Sequence, residues 1–124
     1  MKFLLDVNAL IAWHHPNAQG HESFHAWRQA QPAATLVSCA ITELGFLRIS
    51  MVAFRYDAAQ AAAALHRLKA QIGEYAAELP PPRLPAWATA ASRTTDAYLA
   101  QLAEHHGASL ATFDMDIPGA TLIR

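Results

Sequence analysis

Five carboxylates stand in this sequence where they can act together: Asp6, Glu43, Asp96, Asp114 and Asp116. Asp6 ends the apolar run Phe3-Leu4-Leu5, and Asp114 ends the run Leu110-Ala111-Thr112-Phe113, with Asp116 just beyond it. Glu43 and Asp96 each fall in the opening turn of a stretch with helical spacing. One acid in a first helical turn is ordinary, because it is favourable with the helix dipole. Five at element boundaries on one side of a sheet point to chemistry. Carboxylates brought within a few Å of one another repel unless protons or cations compensate, and carboxylate oxygens with water suit Mg²⁺ or Mn²⁺.

That convergence needs a scaffold, and the apolar periodicity supplies one. Phe3 to Leu5 is continuous, as in a strand buried on both faces. Ala9 to Trp13 then opens a helix that ends near His14-His15-Pro16, since proline disfavours helical geometry in the residue before it. A second helix is expected from about Gly20 to Ala30 with Phe24 and Trp27 inward. Thr35 to Ser38 reads as a strand, with Ser38 as N-cap of a helix whose apolar side carries Ile41, Leu44, Leu47 and Met51. Asp57 caps a helix bearing Ala61, Leu65, Leu68 and Ile72, which Gly73 ends. Tyr75 to Glu78 is a short strand before the proline-rich loop Leu79 to Pro85. Thr94 and Thr95 offer caps for a helix that Asp96 opens, that buries Leu99, Leu102 and Ala103, and that Gly107 closes. Ser109 to Phe113 and Ala120 to Ile123 are the last strands. The alternation predicts one three-layer α/β/α domain over residues 1–124, with a mainly parallel central sheet of about four or five strands. Open parallel sheets bind ligands at the carboxyl ends of their strands, where Asp6 and Asp114 stand.

Composition narrows the classes. The chain has 124 residues, 53% of them hydrophobic, and a formal net charge of -1, so it can bury a core and carries no global basicity. Cys39, the one cysteine, cannot form an intrachain disulfide; it fits a reducing compartment and reads as a small buried residue. Asp6 and Asn8 interrupt the first apolar region before it resembles a signal peptide, and no run is long enough for a bilayer. A soluble, cytoplasmic protein without a membrane partner is expected. The five glycines form neither a dinucleotide nor a P-loop pattern, and there is no Gly-x-Ser-x-Gly elbow. His21 and His25 have a spacing that can bind a metal, but no third ligand lies nearby, so they are read as an exposed helix face.

Four segments carry a family resemblance. Leu4-Leu5-Asp6-Val7-Asn8-Ala9-Leu10, Ile41-Thr42-Glu43-Leu44-Gly45-Phe46-Leu47-Arg48, Thr95-Asp96-Ala97-Tyr98-Leu99-Ala100 and Leu110-Ala111-Thr112-Phe113-Asp114-Met115-Asp116 resemble, in order, the acidic motifs of PIN-domain ribonucleases. The nearest likeness is to the VapC-type toxins of bacterial toxin–antitoxin pairs, and it covers essentially the whole chain. The resemblance implies a Mg²⁺-dependent endoribonuclease, with Mn²⁺ able to substitute, that is held inactive by a cognate antitoxin and is usually a homodimer. It implies Asp6, Glu43, Asp96 and Asp114 as the catalytic acids. The metal would be held by Asp6, Asp96, Asp114 and the accessory Asp116, with Asn8 and Thr112 orienting them. Met51 to Trp87 matches no motif.

An RNA substrate is compatible with the charge. Assigning five of the ten acids to the site leaves five against nine basic groups elsewhere, and RNA needs a local basic track more than a basic chain. Arg48 and Arg93 are candidate RNA contacts, with Arg28 or Arg55 beside them, whereas Trp13, Trp27 and Trp87 read as core. Two rivals compete: a PIN-like module that binds RNA or protein without cutting, and a phosphatase of the haloacid-dehalogenase type. The second also starts from a strand ending in aspartate, but Asn8 stands where it needs an acid. None of the seven histidines lies at a strand end, which disfavours a histidine-based ribonuclease.

Overall fold

Residues Lys2–Leu5 form β1, and everything else is arranged on it. The computed structural model describes residues 1–124. After β1 come α1 (Val7–His14), α2 (His21–Gln29), β2 (Thr35–Ser38), α3 (Ala40–Phe54) and α4 (Ala58–Lys69). They are followed by β3 (Glu74–Tyr75), a short 3₁₀ turn at Ala91–Arg93, α5 (Thr94–His105), β4 (Ser109–Thr112) and β5 (Thr121–Leu122). The five strands make one sheet in the order β3-β2-β1-β4-β5, and every pairing is parallel. Leu4 lies opposite Val37 on one side and Leu110 on the other, so the first strand is central.

Successive side chains of a strand point to opposite faces, and β1 divides the core accordingly. Phe3 and Leu5 join Leu10, Trp13, Phe24, Trp27, Phe46 and Leu68 on the face covered by α1 to α4. Leu4 joins Val37, Leu99, Leu102 and Leu110 on the face covered by α5. This is the expected three-layer α/β/α arrangement, with an entirely parallel sheet. Trp13 stacks on Phe24 and Phe3 meets Trp27 edge-on, so both of these tryptophans are core. Trp87 is only half-buried and lies beneath the Arg93 guanidinium.

Several element ends differ from the sequence reading, each for a local reason. Cys39, not Ser38, is the N-cap of α3; the Ser38 hydroxyl is taken by Glu43. The inward face of α3 carries Thr42, Glu43, Phe46 and Ser50, leaving the expected core residues Leu44 and Met51 in solvent. Asp57 caps α4 as expected, in a reciprocal box with Gln60, but the helix stops at Lys69, before Gly73, whose N–H pairs with Leu36. The strand expected at Tyr75 to Glu78 is two residues long and begins at Glu74, while the strand expected at Ser109 to Phe113 stops at Thr112. Thr94 and Thr95 lie inside α5, and the Thr94 hydroxyl donates back to Ala91.

The paired histidines of α2 are neither a metal site nor an exposed face. His21 Nδ1 donates to the Ala12 carbonyl at 2.7 Å and His25 Nε2 to the Trp13 carbonyl at 3.2 Å. These are last-turn acceptors of α1 that the helix itself leaves open. The two side chains therefore pin α2 across the end of α1.

Candidate active site

The acidic edge is built where β1 and β4 end side by side. Asp6 follows the last residue of β1, its N–H bonded to the Ala111 carbonyl, and it serves as N-cap of α1. One carboxylate oxygen, Oδ1, accepts the Val7 N–H at 2.7 Å, and the other, Oδ2, accepts the Thr112 hydroxyl at 2.7 Å. Thr112, the last residue of β4, is wholly buried. Its oxygen also accepts from Asn8 Nδ2 at 3.2 Å and from the Asp114 N–H at 3.0 Å. The Asn8 Oδ1 takes the Phe113 N–H at 3.2 Å, and Asp114 Oδ1 takes the Asp116 N–H at 2.8 Å. One hydroxyl thus couples the two strand ends and fixes the turn that carries Asp114.

Asp96 reaches the same place from the first turn of α5. Asp6, Asp96 and Asp114 line one crevice of about 780 Å³, together with Asn8. Burial pushes the Asp6 carboxyl above its ordinary range, against the opposing effect of the Thr112 and Val7 hydrogen bonds; the Asp114 charge adds to the rise. Asp96 is also raised, first by burial, then by the charges of Asp6 and Asp114, with Arg93 opposing. A cation in the crevice would relieve the like-charge part of these rises.

The other residues singled out by sequence are placed as follows. Glu43 is buried at the start of α3, accepts the Ser38 hydroxyl at 2.6 Å and pairs with Lys69 at 3.2 Å; it does not line the crevice. Asp116 is exposed beyond Asp114, and its carbonyl accepts from Arg93 Nη2. Arg93 is therefore occupied within the site: its Nε lies 3.8 Å from Asp96, beyond hydrogen-bond reach, and the guanidinium rests over Trp87. Arg48 is exposed on α3. No three acidic, histidine or cysteine side chains already converge tightly enough to enclose a metal ion. The donor set of the crevice is nonetheless all oxygen and negatively charged, which fits a hard divalent cation that keeps several of its waters.

Sequence reading missed the part played by Arg93 at the acids and the pairing of Lys69 with Glu43. Both come from remote segments, and only the basic residue three positions before Asp96 left a local signal, the spacing at which helical side chains meet.

Known proteins resemble this chain in sequence and in fold. The family model described as PIN domain matches residues 3–120. Proteins named ribonuclease VapC44, from two strains of Mycobacterium tuberculosis, are 31% identical over 135 aligned positions, which cover 98% of this chain and 95% of the relative. Among solved structures, a chain in the crystal structure of VapBC2 from Rickettsia felis bound to a DNA fragment from their promoter superposes with a TM-score of 0.64. It is 15% identical, and the match covers 98% of this chain and 97% of that one. With the match running from β1 to the turn before β5, this chain belongs to the PIN-domain family.

Proposed function

We propose that this chain is a divalent-metal-dependent endoribonuclease and the toxin of a type II toxin–antitoxin pair. The observation that carries the reading is the convergence of Asp6, Asp96 and Asp114 on one crevice, with Thr112 and Asn8 holding the strand ends that present them. The relatives named ribonuclease VapC44 and the VapBC2 neighbour support the activity and the antitoxin partner.

In this reading Asp6, Asp96 and Asp114 hold Mg²⁺ or Mn²⁺, with Asp116 as an accessory ligand. Bound there, the cation supplies Lewis acidity and a water of lowered pKa for in-line hydrolysis of a phosphodiester. The chain's own work is positional. Val7 N–H and the Thr112 hydroxyl hold the Asp6 carboxylate in one orientation, Asn8 fixes the Phe113 backbone, and Arg93 ties the Asp116 carbonyl to the start of α5. Glu43 would have to exchange Lys69 for the cation before it could join the set. The products are 3′-hydroxyl and 5′-phosphate ends.

The test is cleavage of single-stranded RNA with Mg²⁺ or Mn²⁺ and in EDTA, with the new ends assayed by ligation. Ligatable 5′-phosphate ends that require the metal and vanish with Asp96→Asn are expected. Cyclic-phosphate ends formed in EDTA would overturn the mechanism.

A further inference from the structure

The crevice continues past the acids. From Asp6 it follows α1 past Val7 and Ile11 to a wall made by Ile49 and Phe54 of α3, with Asn17 and Gln19 of the α1–α2 loop also lining it. This further part takes no share in holding a cation, yet it is built. The imidazole of His15 stacks on the Phe54 ring at 3.8 Å with only 12° between the planes, and His15 is itself buried and bonded to the Ser50 hydroxyl at 2.9 Å. Phe54 is half-buried and lines the crevice, with His15 covering one face of its ring.

We propose that Phe54 is the stacking platform for a nucleobase of single-stranded RNA, a few nucleotides from the phosphate that is cut. The proposal rests on the ribonuclease reading above. An aromatic ring whose orientation is fixed from behind accepts any base through its π-face, and such stacking dominates single-strand binding. His15 lies nine residues beyond Asp6, about 13 Å at helical rise, which exceeds one stacked nucleotide step of ~3.4 Å. That span is about four such steps, so the base on Phe54 belongs to a nucleotide a few positions from the scissile one. The amides of Asn17 and Gln19 offer a donor and an acceptor each for a base edge. Arg48 and Arg55 do not line the crevice but are exposed, on the outer side of α3 and at its end, and have no acidic partner. Their charge favours a phosphate backbone over a basic peptide.

The experiment uses the full chain and a single-stranded oligoribonucleotide containing one mapped cleavage site, in versions with an abasic residue placed at each position around that site. In the parent protein one position near the scissile bond should raise KM about tenfold when abasic, the loss of one base stack, with little change in kcat. Phe54→Leu, which keeps an apolar contact for His15, should show the raised KM with the intact RNA and no further penalty from the abasic residue. Phe54→Trp should restore the position dependence. A flat abasic scan in the parent, or a scan unchanged in Phe54→Leu, overturns the platform while leaving the ribonuclease reading standing. Should the chain cut no RNA with either metal, that reading fails by itself. The platform is then decided by fluorescence of Phe54→Trp, corrected for the parent: quenching by the oligoribonucleotide supports it, and no change refutes it. The same fluorescence measurement decides the case if Phe54→Leu does not fold.

Discussion

Thr112 is the residue on which the acidic edge depends, because one buried hydroxyl donates to Asp6 and accepts from both Asn8 and the Asp114 backbone. Replacing it with valine leaves a buried Asp6 oxygen and the half-buried Asn8 amide and Asp114 N–H without that partner, so Thr112→Val should cost about 1–3 kcal/mol in urea unfolding. RNA cleavage should fall with it, since Asp6 loses one of its two restraints. The titratable groups make opposite contributions to stability. For Asp6 and Asp96 the folded value lies above the ordinary 3.8, so the folded state keeps its protons to higher pH than the unfolded one. Their contribution is full below that ordinary value and is lost as pH rises through the raised one. In EDTA at neutral pH, Asp96→Asn should therefore melt above the parent. The parent alone should gain from the metal, by about 2.7 kcal/mol at a hundredfold excess over Kd. Equal melting of the parent with and without Mg²⁺ or Mn²⁺ would count against a clustered site. His15 acts the other way. Burial first, then the neighbouring His14, lower it from 6.5 to about 4, so its contribution is present above 6.5 and is lost as pH falls toward 4. His15→Gln, which can still meet Ser50, should flatten the stability profile in that window, as read from melting temperatures in EDTA.

Gly45 shows why elements pack as they do around the site. A Cβ there would stand 2.5 Å from Val7 Cγ2, so α3 crosses the start of α1 at a distance only glycine permits. On an exposed helix Gly→Ala gains about 1 kcal/mol, but here the added methyl must displace the residue next to Asp6. Gly45→Ala should lower both melting temperature and cleavage, and Val7→Ala in the same chain should recover part of each; strict additivity of the two changes would refute the contact. The order of elements was legible in sequence because β1, β2 and β4 are short runs buried on both faces and the helices carry periodic apolar residues. What was not legible depended on partners far along the chain. Leu44 and Met51 follow helical spacing as well as Phe46 does, yet the crossing at Gly45 turns Thr42, Glu43, Phe46 and Ser50 inward. The acids follow the same division. Asp6 and Asp114 sit at strand ends, whose position the apolar pattern fixes, and Asp96 is set by the first turn of α5. The engagement of Glu43 by Lys69 depends on how α4 lies across α3, which no local pattern encodes. His21 and His25 read as an exposed face for the same reason, since their spacing cannot reveal that carbonyls of α1 wait opposite.

At the scale of the whole molecule, the outer side of α3 is an apolar face without a neighbour. Leu44, Met51 and Val52 are 66%, 44% and 71% exposed. At 100° per residue they fall within one stripe with Arg48 between them, and Arg55, the left-handed C-cap, follows at the end of the helix. No helix in the chain is long and apolar enough to cross a membrane, so a bilayer-spanning segment does not account for the stripe. We expect a second copy of the chain to cover it, with the helices related by a two-fold axis so that each residue contributes twice. Fully burying a leucine or valine side chain is worth about 1.5–3 kcal/mol, which makes three such residues on each copy enough to matter. The arginines constrain this geometry: their aliphatic stems can lie on the apolar stripe only if the guanidinium groups reach the rim. Four like charges would then border the contact, and screening them should tighten the dimer. Light scattering at tens of micromolar should give the dimer mass, with dissociation shifting to lower concentration as salt is raised from 0.05 to 0.5 M, where the screening length falls to roughly 4 Å. Leu44→Glu should give a monomer with an unchanged far-ultraviolet spectrum. A parent protein that is monomeric throughout, or a Leu44→Glu variant that remains dimeric, would mean that α3 is not the contact between copies.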